Sequence, residues 1–482
     1  MYKRDKVAIY TPDELMPSER ALVQLALIAS DKRIASPVVG LIDIHDKFDN
    51  DFPTGAVAVS PGHIFPQLMV SGPNCGMRML ELPFTNDRVT PVRMNELFSK
   101  LADSICLGSL TEEKLALSDV KGIMREGAGW VLARYKDCPD DLDNVELRGN
   151  AFNGVPGADS LLEDAVPKHV MELSRRRLGI LGGGNHFIEL QTVEEVFDEK
   201  NAGVLGIKKN GCYILAHSGS GGFGAMLTNL YSPRTLGARE PLMLGFVAVE
   251  RMLSSFNRSR LGLFREMMFR TRDGECPLFG LEAGSSSAGL YLSALMGGAN
   301  FAYANRALIS YKIKKAVSGI FGPETKEVRT LYDLSHMSIN LERHSGSDMW
   351  VHRTGGVRAL PPGKATGTPF EDTGTPVFLP GSMGDPTYIS LAMEGNSRTY
   401  NSAGHGSGRI RKDKIGEVSS TREELVDLLK GRGITLYKGN SKKIVRQDPR
   451  CFKNVGLAAD YLSTIGLARK VAKLKPLAVL KG

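Results

Sequence analysis

Leu181-Gly-Gly-Gly-Asn-His-Phe-Ile-Glu189 joins three consecutive glycines to an amide, an imidazole and an apolar–acidic alternation that continues into Leu190. Glycines let the backbone approach a neighbour closely and adopt φ > 0. Alternation with period two predicts a strand, so the stretch reads as a glycine loop feeding a strand. Backbone N–H groups beside a metal-capable side chain suit a phosphate and a divalent ion together. A glycine-rich β-turn with a satisfied core histidine fits the same letters, and the rest of the chain has to decide.

Working outward, the 482 residues are 42% hydrophobic and 24% charged, a composition that supports a large core. The formal net charge of +8 permits a polyanionic partner such as nucleic acid without requiring one. The six cysteines are scattered with no CxxC pair, which predicts a reducing, cytoplasmic compartment and not a disulfide framework. The opening Met1-Tyr-Lys-Arg-Asp-Lys6 lacks the apolar core of a signal peptide, and no run of about 18 apolar residues predicts a membrane span. Without internal repeats or low-complexity tracts, one unit spanning 1–482 is expected, and it is expected to be a monomer.

In chain order, a strand is predicted at Val7–Tyr10 and an amphipathic helix around Ser18–Ser30, with Leu22, Leu25, Ala26 and Ile28 inward. A second strand, Pro37–Asp43, leads into Asp43-Ile-His45. Cys75 lies in the loop Val70-Ser-Gly-Pro-Asn-Cys-Gly76, where a thiol is either a small buried hydrophobe or a metal ligand. Thr90-Pro91 starts a helix with an N-cap and a first-turn proline. Arg175-Arg-Arg177 is either a solvated helix face or an anion contact beside the glycine loop. Tyr213–His217 reads as a strand entering a flexible loop, Ser218–Gly224. Residues 240–270 and Asn300–Arg306 read as helical, and Asp333-Leu-Ser-His336 is placed on a helix. Ordered turns are expected over 351–385, with a strand at Pro376–Leu379. Ser420-Thr-Arg-Glu423 reads as a capping box, and a helix near 455–473 precedes a terminal strand, Pro476–Leu480.

His405 is flanked by glycines in Asn401-Ser-Ala-Gly-His-Gly-Ser-Gly-Arg409, which suits a histidine approached closely by a bulky substrate. A neutral imidazole attacks phosphorus readily, giving a phosphoramidate that transfers on. Cys75, His186, His217 and His336 each come from a loop or an element end, as a site assembled in three dimensions requires. One thiolate with three imidazoles suits zinc or another late transition ion by softness. Read from the residues alone, the chemistry is metal-assisted phosphoryl or nucleotidyl transfer.

These blocks together resemble the RtcB family of RNA-splicing ligases over nearly the whole chain. The matching segments are Asp43-Ile-His45, Asn74-Cys-Gly76, Leu181–Glu189, His217-Ser-Gly-Ser220, Asn300–Arg306, His336, Val351-His-Arg353, Pro380-Gly-Ser-Met-Gly384, His405–Arg409 and Lys481-Gly482. The resemblance implies a single α/β domain built on mixed sheets that uses GTP and manganese. It implies that His405 is guanylylated and that GMP passes to an RNA 3′-phosphate, formed by opening a 2′,3′-cyclic phosphate. A 5′-hydroxyl end then attacks and GMP leaves, the chemistry of tRNA splicing and RNA repair. Cys75, His186, His217 and His336 match the metal ligands. Asn185, Ser382, Gly406 and Lys481 match nucleotide contacts, and Glu189, Gly384, Ser407, Gly408 and Phe452 are expected in the same pocket. Arg409 matches an arginine near the phosphates, and Asp43 and Arg353 lie in matching blocks.

The chain departs from that pattern at four positions. Gly72 stands where an aspartate is a further metal ligand, Gly221 where an arginine follows the His-Ser-Gly-Ser block, Thr354 where a lysine follows Arg353, and Phe452 where a tyrosine packs on guanine. Losing the carboxylate weakens one of two metal positions, so an ion beside His186 is expected to be the weaker. The alternatives are a non-ligating relative that binds RNA or nucleotide, and a metal-dependent cyclic phosphoesterase.

Overall fold

Runs with an apolar residue at every second position become strands, because a pleated chain sends alternate side chains to opposite faces. The computed structural model describes residues 2–4, 6–46, 52–69, 72–108, 110–137, 140–233, 248–249, 251–253, 255, 257–269, 275–322, 327–410, 418, 421–439 and 444–482. Its strands are β1 (Tyr2–Arg4), β2 (Val7–Ile9), β3 (Ala35–His45), β4 (Thr54–Ser60), β5 (His63–Ile64), β6 (Gly76–Thr85), β7 (Phe187–Val196), β8 (Gly211–Ser218) and β9 (Leu281–Glu282). The second half adds β10 (Arg329–Ser335), β11 (Met337–His344), β12 (Ser347–Thr354), β13 (Gly356–Arg358), β14 (Pro376–Pro380), β15 (Thr387–Ala392), β16 (Ser402–Gly404), β17 (Thr435–Lys438) and β18 (Ala468–Lys481).

One sheet runs β1-β2-β3-β4-β12-β11 and a larger one β10-β6-β8-β7-β18-β15-β14, with β17 parallel to β18 at its side. Most neighbours are antiparallel, while β2 and β3 are parallel, so the architecture is the expected α/β one with mixed sheets. The larger sheet is buried on both faces. Leu80, Ile188 and Ile214 pack with Ile309, Ile313 and Val317 of the 36-residue helix Ser286–Phe321. Met77, Met79, Leu215 and Leu334 pack on the other face with Val377, Ile389 and Leu474. The smaller sheet lays Val39, Leu41, Val57 and Val351 against the helix Val455–Thr464. Among the described residues no helix is long and apolar enough to cross a membrane.

Several expectations are corrected. Asp333-Leu-Ser-His336 is not helical: Asp333–Ser335 end β10, because Tyr332 to Ser335 are held in a ladder with β6. The helix near 455–473 stops at Thr464, and 468–473 belong to β18, where pairing with β15 and β7 overrides local helix propensity. Gly221–Gly224 form the first turn of a helix, Gly221–Tyr231, and not a flexible loop. The capping box is Thr421 with Glu424, one residue later than expected, and Ser420 lies outside the described residues. Ala26 faces solvent, and Ala21 and Ala29 are buried in its stead. Val70, Ser71 and residues 240–247 also fall outside the described residues, while Arg258–Phe269 is helical as expected.

Candidate active site

Four neighbouring strands of the larger sheet end at one edge and carry the thiol and three imidazoles there. Ser335 pairs with Gly76, Gly76 with Ser218, and Phe187 with His217. Cys75 therefore precedes β6, His217 is the penultimate residue of β8, His186 precedes β7 and His336 follows β10. Their donor atoms converge: Cys75 Sγ lies 3.2 Å from His186 Nε2 and 3.4 Å from His217 Nε2, and His217 Nε2 lies 3.0 Å from His336 Nε2. Cys75, His217 and His336 form the tight group, all donor atoms within 4.8 Å of one another, and His186 joins through the sulfur side. Burial holds the His217 imidazole well below its usual range, with His186 and His405 adding to the effect, and so keeps it in its ligating neutral form.

A buried network fixes this edge. The Arg306 guanidinium pairs with Asp333 at 2.8 Å and donates to Asn74 O at 2.7 Å and Ser218 O at 3.3 Å, the carbonyls next to Cys75 and His217. Arg78 binds the other Asp333 oxygen at 2.6 Å. Asn305 accepts from Gly179 and Ile180 N–H and donates to Gly219 O, tying the glycine loop to the end of β8. Removing one partner of such a buried pair costs about 3–5 kcal/mol. Arg306→Met is therefore expected to lower the unfolding free energy by about that amount in denaturant titrations.

His405 reaches the cluster from the opposite layer. It follows β16, which pairs with β13, and its ring stacks on His336 with centroids 4.1 Å apart and planes 14° apart. His405 Nδ1 faces two acceptors, Asp43 Oδ2 at 2.5 Å and the Gly355 carbonyl. Two acceptors require a proton on Nδ1, and in the neutral ring that tautomer carries its lone pair on Nε2. Asp43 is fully buried at the end of β3.

The expected nucleotide residues are placed by the following contacts. Gly182, at φ +87°, passes so close to His186 that a Cβ would stand 2.5 Å from its Nδ1, which explains the first glycine of the loop. Lys481 Nζ donates to Gly184 O at 3.3 Å, and Asn185 is exposed beside it. Glu189 opposes Val479 of β18, and Gln191 donates to its carboxyl. Burial pushes the Glu189 carboxyl up to about 8 and the Lys481 ammonium down to about 7, each against the pull of the other. Ser407 N–H donates to Pro380 O at 3.1 Å, so the His405–Arg409 loop and the Pro380–Gly384 loop abut at Gly406, while Gly384 N–H points to Ser382 Oγ at 3.5 Å. Gly408 packs on the Asp43 backbone. One face of Phe452 carries the Arg409 guanidinium, 4.6 Å from the ring centroid, and Arg409 also donates to Arg446 O.

The other positions are resolved individually. Arg353 is fully buried, forked onto Glu342 at 2.6 and 2.9 Å and bonded to Ser402 Oγ, so its donors serve the fold. Thr354 donates to Leu68 O at 2.7 Å and is buried. A Cβ on Gly72 would stand 2.8 Å from Ser220 Oγ, so Ser220 fills the space a side chain there would enter. Gly221 opens its helix, and among the described residues nothing stands within 4 Å of a Cβ placed there. Of the arginine triplet, Arg175 donates to Leu115 O and Arg176 to Glu112 O, both of the loop before Leu117, while Arg177 lies against Gly222. Sequence reasoning missed the Gly355 carbonyl and the role of Arg306. The first carries no side-chain signal, and the second lay in a quoted motif whose partners are remote.

The family model described as tRNA-splicing ligase RtcB matches residues 24–482. The chain is similar to the tRNA-splicing ligase RtcB of Aeropyrum pernix, 27% identical over 98% of this chain and 94% of that protein. It is equally similar to that of Thermococcus kodakarensis, 28% identical over 98% and 94%.

Proposed function

Because the chain belongs to the RtcB family of tRNA-splicing ligases, we propose that it is an RNA ligase joining 2′,3′-cyclic-phosphate or 3′-phosphate ends to 5′-hydroxyl ends through a GMP–His405 intermediate formed from GTP. The observation that carries this reading is the His405 imidazole, whose Nδ1 is held by Asp43 and the Gly355 carbonyl while its ring stacks on His336. That arrangement leaves Nε2 as the nucleophilic atom.

The donor set fits a divalent transition ion: Cys75, His217 and His336 within 4.8 Å, His186 beside the sulfur, and His217 kept neutral by burial. The nitrogen and sulfur ligands alone favour zinc, and manganese is the ion the family resemblance implies. When bound, the ion would offset negative charge on the phosphates. His405 Nε2 forms a bond to the α-phosphorus of GTP as the bond to the bridging oxygen breaks, and pyrophosphate leaves with those electrons. Asp43 accepts the Nδ1 hydrogen bond throughout and stabilises the positive charge that develops on the ring. An RNA 3′-phosphate oxygen then displaces His405 and takes the GMP. The 5′-hydroxyl oxygen attacks that RNA phosphorus, loses its proton and expels GMP. In this reading Lys481 is assigned to a phosphate, whose charge would favour its ammonium form, and Phe452 to the guanine.

The test is incubation with α-labelled GTP and Mn²⁺, denaturation, and sealing assays on RNA with cyclic-phosphate ends. Acid-labile label on the protein and sealed RNA are expected. Cyclic-phosphate opening without GTP consumption would identify a phosphoesterase, and RNA binding without label or sealing a non-ligating relative. Metal analysis of protein purified without chelator is expected to give about one ion per chain, lost in Cys75→Ala and in His217→Ala. Two fully occupied ions would contradict the weakening assigned to Gly72.

A further inference from the structure

Beneath the Asp43–His405 contact lies a buried lysine that the reaction scheme does not use. Lys453 is 4% exposed. Its ammonium donates to Ile42 O at 3.1 Å and Ile44 O at 2.9 Å, the two carbonyls that flank Asp43. Its own backbone N–H donates to Gly408 O at 3.0 Å, in the loop that carries His405. Its chain neighbour is Phe452, whose ring lies under Arg409 and whose backbone bridges to it. One residue thus joins the end of β3, the His405 loop and the aromatic platform.

We propose that Lys453 is a positioning residue that fixes the Asp43 carboxylate against His405 Nδ1 and links the seating of a nucleobase at Phe452 to the alignment of the nucleophile. This rests on the reading of His405 as the guanylylated residue.

Three observations support it. Asp43 Oδ1 is buried and receives no hydrogen bond among the described residues, so the carboxylate is not held by a dense set of donors of its own. What orients it is the backbone of β3, and Lys453 clamps that backbone on both sides of Asp43. The His405 loop lies within van der Waals range of the same backbone: a Cβ on Gly408 would stand 2.6 Å from Asp43 O, and one on Gly404 2.9 Å from Asp43 Oδ1. A small shift of β3 therefore moves both partners. Burial pushes the Lys453 ammonium down to about 8, opposed by the charge on Asp43, so its charge is maintained partly by the carboxylate it positions. A solvated surface lysine would need no such neighbour.

The experiment compares the full-length wild type with Lys453→Met, which keeps the aliphatic stem and removes the donors. Single-turnover labelling by GTP is measured over a concentration series, together with the thermal midpoint. The expected result is a maximal rate reduced at least about tenfold, with half-saturating GTP within about twofold and a cooperative transition retained. An unchanged maximal rate in folded Lys453→Met overturns the inference. So does a change confined to half-saturation, which would make Lys453 part of the nucleotide pocket alone. Lys453→Gln, which retains one donor, is read in the same way if the methionine variant does not fold. Failure of both to fold would reduce Lys453 to a structural residue and also overturn the inference. A second measurement separates this proposal from the ligase reading: carbethoxylation of His405 by diethylpyrocarbonate, followed by peptide mass spectrometry, needs no GTP. Its rate is expected to fall at least about threefold in Lys453→Met, because an imidazole no longer held against Asp43 loses the carboxylate that stabilises positive charge on the ring. If wild type takes no label from GTP yet Lys453→Met lowers this rate, the positioning role stands and the ligase reading falls.

Discussion

His405→Ala is expected to abolish covalent labelling by GTP, with a loss on the order of 10⁴-fold or more in label formation and in RNA sealing. The size follows from the role: removing the nucleophile removes the intermediate, and the remaining side chains cannot substitute for it. His336 stacks on the His405 ring but points its Nε2 at His217, 3.0 Å away, so it is committed to the ligand cluster. Stability should change little, because His405 sits at the end of the short β16 and its side chain is partly exposed. The measurement is autoradiography of denatured protein after incubation with α-labelled GTP, with acid lability marking a phosphoramidate. Undiminished acid-labile label on His405→Ala would place the nucleophile elsewhere, and the next candidates would be the cluster histidines.

The second large effect is at Asp43. Asp43→Asn keeps the volume and removes the charge. The Gly355 carbonyl still accepts from His405 Nδ1, so the tautomer is partly retained. What disappears is the carboxylate that stabilises the developing positive charge on the ring. A drop of about 10²–10³-fold in the rate of label formation is expected, smaller than for a triad in which the carboxylate alone orients the ring. Nucleotide affinity should hold, because Asp43 is fully buried and contacts His405. Rapid-quench labelling at saturating GTP separates the two quantities. Equal losses in affinity and rate would mean that Asp43 shapes the pocket and does not act on the imidazole.

The glycine loop illustrates how much of the site was legible beforehand. Three glycines, an amide, a histidine and a period-two run were enough to place a loop at the mouth of a strand, but they left His186 open between a core histidine and a ligand until the other blocks of the chain were set beside it. The structure supplies the reason for the first glycine: a side chain at Gly182 would collide with His186 Nδ1. Cys75 and His217 were singled out as residues of a loop or an element end, and His405 by the glycines on both sides of it. His336 was named as a candidate ligand and placed on a helix, whereas it follows β10 directly. Its segment, Asp333-Leu-Ser-His336, has no local feature strong enough to separate helix from strand, and the ladder with β6 decides. The terminal strand was likewise underestimated, because residues 468–473 become β only by pairing with β15 and β7. Arg353 and Arg306 look alike as basic residues in quoted motifs. Burial and partners separate them: Arg353 holds Glu342 within the smaller sheet, whereas Arg306 holds the carbonyls beside two ligands.

The amino-acid sequence by itself determined which chemistry is available: one thiol and three imidazoles at element ends, a histidine among glycines, a terminal lysine, and strands whose apolar period requires burial. Those properties are local, set by side-chain type and by spacing of a few residues. The tertiary structure alone decided that four strand ends fall at one sheet edge, that His405 arrives from the other layer to stack on His336, and that its Nδ1 meets Asp43 across 362 positions of chain. It also decided that Ser220 fills the space beside Gly72, and that Lys453 braces the backbone on either side of Asp43. The physical reason is that register and layer packing depend on contacts between segments far apart in the chain, whose free energies are settled only when the whole core is assembled.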